Sequence, residues 1–323
     1  MTRLHRRDAL RHAAAVAAAA VLPVRLGAQV APAGNAGAAP DPARFFPGFT
    51  SARVRTAGAE INLVHAGSGP PLLLLHGAPQ THISWRLAAP ELAKRYTVVV
   101  PDLRGYGDSS KPADTADHAG SSKRAMALDQ VEVMRHFGFE RFAVVGHDRG
   151  GRVAHRLALD HPDVVTRLAV LDIVPTYYLY THVTIEFIQA YFHWFNYVRA
   201  APGPEEELKA QFDARAARAT TDAQREYARV YADMANIHGM CEDYRASASI
   251  DLQHDAESWG RKVQCPLLTL WGLKGPMGRI YDVLAIWKDR GVSVSGRGLP
   301  AGHNLQEEAP EAVLAEVMPF LAG

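Results

Sequence analysis

Residues 146–156 read Gly146-His-Asp-Arg-Gly-Gly-Arg-Val-Ala-His-Arg156, and they follow the apolar run Phe142-Ala-Val-Val145. A short unbroken run of this kind reads as a strand buried on both faces. The Gly-x-Asp-x-Gly spacing behind it predicts a tight turn that presents one side chain before a helix begins. The middle position of such a strand–turn–helix usually holds a serine nucleophile, but here it holds Asp148. That swap changes the chemistry. A carboxylate with no hydroxyl proton suits displacement of a leaving group from saturated carbon, which leaves an alkyl ester on the enzyme. Arg149 and Arg152 lie one and four positions on, so both sit on the first turn of the same helix.

Working outward, residues 54–56 and 61–65 predict a short hairpin around Gly58. Apolar runs at 72–75, 98–100, 168–171 and 267–270 end at His76-Gly77, Pro101-Asp102, Asp172 and Trp271-Gly272, and residues 292–294 read as a last short strand. Helical stretches at 123–137, 149–159, 282–288 and 311–321 alternate with these runs. The alternation predicts an α/β fold, a mostly parallel sheet flanked by helices. Residues 176–255 break the rhythm, being helical and aromatic with no clear strand. They read as a helical lid inserted after the strand that ends at Asp172, so the core comprises residues 45–175 and 256–323.

The bulk numbers fit one large globular enzyme: 323 residues, 48% hydrophobic and 21% charged. Lys+Arg 35 against Asp+Glu 34 leaves no strong field, which excludes a nucleic-acid partner and leaves a small-molecule substrate. Cys241 and Cys265 lack metal-ligand spacing and read as unpaired. Residues 1–31 form a basic head with Arg6-Arg7, an apolar middle at 13–22 and a small-residue end. This resembles a twin-arginine export signal and points to a periplasmic destination. Its apolar stretch is shorter than the ~20 residues of a membrane span, so the mature chain carries no integral membrane segment. Residues 32–44, rich in Ala, Pro and Gly, read as a linker.

In a parallel sheet, functional groups gather beyond the C-terminal ends of the strands. Asp148 is the nucleophile candidate. His303, in Pro300-Ala-Gly-His-Asn304 after the last strand, is the candidate base that activates water against the ester. Asp172 takes the role of its orienting acid by elimination. The usual alternative place, Trp271-Gly-Leu-Lys-Gly275, holds no carboxylate, and Asp282 lies one element too late. Arg149 and Arg152 could clamp a substrate carboxylate beside Asp148. Backbone N–H groups of Ala78 and Arg149 are the candidate oxyanion donors. His76 and His147 read as braces for the loops beside the site. No metal or cofactor is called for. His193, Trp194 and Tyr244 offer hydrogen-bond donors, but Phe187, Tyr191 and Trp194 recur at helical spacing, and on the residues alone this aromatic stripe reads as core.

These segments together resemble a known family: His76-Gly-Ala-Pro79-Gln-Thr-His82, Asp102-Leu-Arg-Gly-Tyr-Gly-Asp-Ser109, Gly146–Arg152, Leu171-Asp-Ile-Val-Pro-Thr176, His193-Trp194, Met240-Cys-Glu-Asp-Tyr-Arg245 and Gly302-His303 with Glu307-Glu-Ala-Pro310. They are similar to the fluoroacetate (haloacetate) dehalogenases of the α/β-hydrolase fold, from about Phe45 to Leu321. The resemblance implies Asp148 as nucleophile, His303 as base and Asp172 as its partner. It implies Arg149 and Arg152 on the substrate carboxylate, and His193, Trp194 and Tyr244 on the halide. It also implies a homodimer formed through the lid. Three features depart from the family: a shorter lid, Ala78 where Phe is common, and polar Asn304 and Gln306 after the base. All three bear on pocket size or polarity.

The expected reaction is hydrolytic dehalogenation of a 2-haloacid. An epoxide hydrolase uses the same Asp/His/Asp machinery and is the alternative. Arg149 stands where those enzymes carry Trp, while Tyr177, Tyr178, Tyr180 and Tyr191 keep that reading open. A non-catalytic binding protein fits poorly with an intact nucleophile, acid and base, and an esterase fits poorly with Asp at position 148.

Overall fold

The computed structural model describes residues 42–323. The export segment, and the linker up to residue 41, lie outside the described residues. Strands β1 (Thr50–Arg55) and β2 (Glu60–Ala66) form the expected hairpin. It closes where the Thr56 N–H donates to the Ala59 carbonyl at 2.8 Å. Then come β3 (Pro71–Leu75), β4 (Thr97–Pro101), β5 (Phe142–His147), β6 (Val165–Leu171), β7 (Leu267–Gly272) and β8 (Val294–Leu299). They make one eight-stranded sheet in the order β1-β2-β4-β3-β5-β6-β7-β8. From β4 to β8 all pairing is parallel, and β2 joins β4 antiparallel.

The parallel strands alternate between two apolar layers, which is why they read as unbroken runs. Leu73, Leu75, Val99, Val144 and Val170 pack on one face. Leu72, Leu74, Val98, Val145 and Leu171 pack on the other. Each fully buried Val or Leu contributes about 1.5–3 kcal/mol, so a one-residue slip of register would be costly on both faces.

The last strand corrects the reading of residues 292–294. Val292 is 57% exposed, and β8 instead covers Val294–Leu299. It pairs only with β7, and its Val-Ser-Gly-Arg-Gly-Leu sequence is mostly half-exposed. An edge strand has one solvated side and so carries no apolar run to read.

Six helices stand consecutively between β6 and β7, from Thr176–Thr181 to Ile250–Glu257. Asp172 immediately precedes this insertion, and His303 follows β8. Asp282 is a helix cap, its side chain accepting from the Ala285 N–H at 3.1 Å. Both cysteines are free. Among the described residues no helix is long and apolar enough to cross a membrane.

Candidate active site

Asp148 sits at the turn between β5 and the helix Asp148–Asp160 with φ +44°, a left-handed backbone that L residues rarely adopt. The flanking glycines make the turn feasible. A Cβ on Gly146 would lie 2.5 Å from the Gly150 carbonyl oxygen, and one on Gly150 would lie 2.4 Å from that of His76. The Gly150 N–H donates to the same His76 oxygen at 2.9 Å, tying the helix start to the end of β3. Asp148 is 5% exposed, and its Oδ2 accepts the Ala78 N–H at 3.0 Å. Burial alone would raise its pKa, but His303, His147 and Arg149 outweigh it and hold the carboxyl below the usual range. Asp148 is therefore ionised at neutral pH.

The structure brings the three predicted catalytic side chains together. Asp172, also left-handed at φ +54°, is fully buried at the end of β6. One of its oxygens accepts the Gly272 N–H at 2.8 Å and the other meets His303 Nδ1 at 2.6 Å. His303 then points Nε2 toward Asp148 Oδ2 at 4.0 Å, close enough for charge coupling but beyond a hydrogen bond. Burial opposes charge on His303, yet Asp148 and Asp172 together raise its pKa to about 10. His76 and His147 are braces, as expected. His76 Nε2 accepts the Leu103 N–H at 3.0 Å. His147 joins Gln80 at 3.0 Å to the His303 carbonyl at 2.8 Å, and burial, then the nearby His303 charge, lowers its pKa to about 3.

Arg149 and Arg152 are both buried beside Asp148, but neither lines the cavity. Arg149 Nε and Nη2 bind the Asp243 carboxylate at 2.8 and 2.6 Å. Lys123 and Tyr106 reach the same carboxylate, so Asp243 anchors a buried network. Arg152 Nη1 donates to the Val174 carbonyl and the Thr176 hydroxyl, both at 3.0 Å. Among the described residues, Arg149 Nη1 and Arg152 Nε and Nη2 have no hydrogen-bond partner. The Tyr244 ring lies 4.2 Å from the Arg149 guanidinium carbon, and the Trp194 ring lies 4.9 Å from that of Arg152. Burial and the Arg149 charge lower the Arg152 pKa, and no carboxylate is bound to Arg152 to offset them.

Above Asp148 opens a cavity of about 340 Å³ lined by His193, Trp194, Tyr197, Tyr244 and His303. The aromatic stripe is both core and wall. Phe187, Tyr191 and Trp194 pack with ring centroids 5.1–5.9 Å apart, Phe187 stacked on Tyr191 and Trp194 edge-on to both, and Trp194 meets Tyr244 edge-on at 5.6 Å. His193 reaches the cavity from the exposed side of its helix, and burial of its ring lowers its pKa. Three lining or supporting groups stand out, and sequence reasoning missed Asp243 and Arg215 among them. Tyr191 has a buried hydroxyl with no partner among the described residues, Asp243 immobilises Arg149, and Arg215 supplies a guanidinium to the cavity wall. Tyr191 was visible as an aromatic at helical spacing and as one of the four tyrosines that keep the epoxide-hydrolase reading open. Asp243 and Arg215 carried no local signal.

A sheet of this topology with a carboxylate at the strand–helix turn, a histidine and a buried acid defines a hydrolase. The chain belongs to the alpha/beta hydrolase fold family, which matches residues 70–310. It is 45% identical over 290 residues to a fluoroacetate dehalogenase from Burkholderia sp, covering 86% of this chain and 95% of that protein. It is 32% identical over 284 residues to a soluble epoxide hydrolase from Corynebacterium sp. (strain C12), covering 82% and 94%. A crystal structure of a proposed alpha/beta hydrolase from Nostoc sp PCC 7120 is 51% identical with a TM-score of 0.82, covering 84% and 98%.

Proposed function

We propose that this hydrolase cleaves the carbon–halogen bond of 2-haloacids such as fluoroacetate or chloroacetate, giving the 2-hydroxy acid and halide. The observation that carries this reading is the set of three buried, unpartnered guanidinium nitrogens on Arg149 and Arg152 beside a carboxylate nucleophile. Buried cationic donors without an anion are costly, and a substrate carboxylate would satisfy them. They sit behind Trp194 and Tyr244, so direct contact requires those rings to shift. The 45% identity to a fluoroacetate dehalogenase supports the same reading.

In this scheme Asp148 Oδ1 attacks the halogen-bearing carbon, forming the ester as halide leaves. His193, Trp194 and Tyr244 line the place where that halide would be held. Oδ2 becomes the ester carbonyl oxygen, already bonded to the Ala78 N–H, with the Arg149 N–H as second donor. Esterification removes one of the two carboxylate charges that keep His303 protonated, so the ring releases its proton and becomes a base. His303 Nε2 then takes a proton from water, whose oxygen adds to the Asp148 carboxyl carbon. Collapse breaks the bond from that carbon to Oδ1, and His303 returns the proton to the departing 2-hydroxy acid. The test is halide release from fluoroacetate and chloroacetate, measured with ion-selective electrodes beside styrene oxide hydrolysis. Near wild-type halide release by Asp148→Asn would defeat the covalent scheme.

One observation favours a second reading. The buried Tyr191 hydroxyl has no partner and lines the cavity beside Asp148, where an epoxide hydrolase needs an oxygen-activating donor. Turnover of the epoxide alone would establish that reading instead.

A further inference from the structure

The cavity above Asp148 does not end at the protein surface alone. A second cavity of about 430 Å³ adjoins it, and the two share Pro79, Phe212 and Arg215 as lining residues. Arg215 lies in the helix Gly203–Ala216, with its guanidinium carbon 5.5 Å from the Phe212 ring. Arg218, just past that helix, lines the outer chamber. The ion pairs of this stretch use Arg199, Lys209 and Arg225 instead. Among the described residues Arg215 and Arg218 therefore have no acidic partner. Glu307 is the carboxylate facing the outer chamber, and it is already engaged by Arg86, Gln80 and the Tyr227 hydroxyl. The outer chamber is thus net positive, and its positive charge continues to the junction with the inner one.

From this geometry we propose that Arg215 is a specificity-determining residue. It draws carboxylate-bearing substrates from the outer chamber into the inner one and holds them at the junction. The proposal rests on the dehalogenation reading for its substrate class. The reason for the placement is physical. Arg149 and Arg152 are covered by Tyr244 and Trp194, so they cannot attract an incoming anion by direct contact. Arg215 is exposed in the cavity wall and can. A charge at a cavity mouth acts mainly on encounter, so its loss reduces capture of anions and the reduction fades with salt.

The experiment compares wild type, Arg215→Met and Arg215→Lys on chloroacetate and on its neutral analogue 2-chloroacetamide, at low and high ionic strength. Arg215→Met is expected to lower kcat/KM for chloroacetate roughly threefold to tenfold at low salt, through KM and with kcat unchanged. The deficit shrinks above the salt concentration at which the screening length falls to a few ångströms. Arg215→Lys restores most of the loss, and turnover of 2-chloroacetamide is unaffected. Equal effects on both substrates, or none on chloroacetate, overturn the proposal. Calorimetric binding of glycolate to wild type and Arg215→Met provides the readout independent of turnover. If wild type releases no halide from any haloacetate, the dehalogenation reading fails. Glycolate then decides the role of Arg215: weaker binding in Arg215→Met sustains it, and equal affinity overturns it.

Discussion

In the proposed scheme, replacing Asp172 with Asn is expected to separate the two chemical steps. In the native site Asp172 Oδ2 faces His303 Nδ1 at 2.6 Å while Oδ1 is held by the Gly272 N–H at 2.8 Å. The Gly272 contact keeps the Asn oxygen in place of Oδ1, so the new amide NH2 must point at Nδ1. His303 then has to turn an unprotonated Nδ1 toward that amide, which puts its proton on Nε2, the nitrogen needed as base. Loss of a hydrogen bond to a charged group costs about 1.5–3 kcal/mol, and fixing the wrong tautomer in an analogous arrangement costs roughly 10⁴-fold in rate. The proposed first step, displacement by Asp148, would not use His303 as a base. Asp172→Asn is therefore expected to release about one equivalent of halide per enzyme in a rapid-quench burst and then stall. Mass spectrometry of the digested protein should show a carboxymethyl ester accumulating on the Asp148 peptide when a haloacetate is the substrate. Steady turnover near the wild-type rate, or stalled enzyme without any adduct, would refute the reasoning.

Three further outcomes follow from the site. Asp243→Ala leaves Arg149 and Lys123 buried without their carboxylate; about 3–5 kcal/mol is lost when one partner of a buried pair is removed, so Tm should fall by roughly 10 °C in a calorimetric scan. Because the Asp243 pKa is depressed in the fold, that pair stabilises above the unfolded carboxylate pKa of about 3.9 and the difference from the variant narrows as pH drops below it. Asp255 has the opposite sign: burial, then the Asp251 charge, raises its pKa to about 6, so it favours folding when protonated and this contribution is lost as pH rises from about 4 through 6. Asp255→Asn should accordingly raise Tm at pH 7.5 and give no gain at pH 4; a gain that is equal at both pH values contradicts the assignment. Tyr191→Phe removes a buried hydroxyl that has no partner, so stability should hold or improve and chloroacetate turnover should change little; a large loss of turnover measured by halide release would assign that hydroxyl to the chemistry.

Much of the site was legible because its parts are local. The turn at Asp148 announces itself through Gly146 and Gly150, whose missing side chains are demanded by backbone contacts of 2.5 and 2.4 Å. Asp172 could be reached by elimination because Trp271–Gly275 carries no carboxylate, and the structure shows what that segment supplies instead, the Gly272 N–H that steadies Asp172. Long-range pairings were not legible. Nothing in Met240-Cys-Glu-Asp-Tyr-Arg245 tells a reader that Asp243 will take two of the Arg149 nitrogens across 94 residues. That pairing turns an expected open clamp into a half-occupied one. Arg215 was hidden differently. A lone arginine on a charged helix has the composition of a solvated face, and only the adjoining cavities give it a direction. The position of β8 was misread because its glycines and polar residues lack any two-residue apolar rhythm.

The chain places its acid before the six inserted helices and its histidine after β8, so the Asp172–His303 pair is assembled entirely by the sheet and its C-terminal loops. The insertion supplies most of the cavity walls but neither member of that pair. Changes in the length or packing of those helices are therefore expected to alter which molecules the cavity admits while the Asp172–His303 contact stays in place. For engineering, a graft between Thr176 and Glu257 is expected to change the substrate range provided that it keeps Asp243 on Arg149 and Lys123.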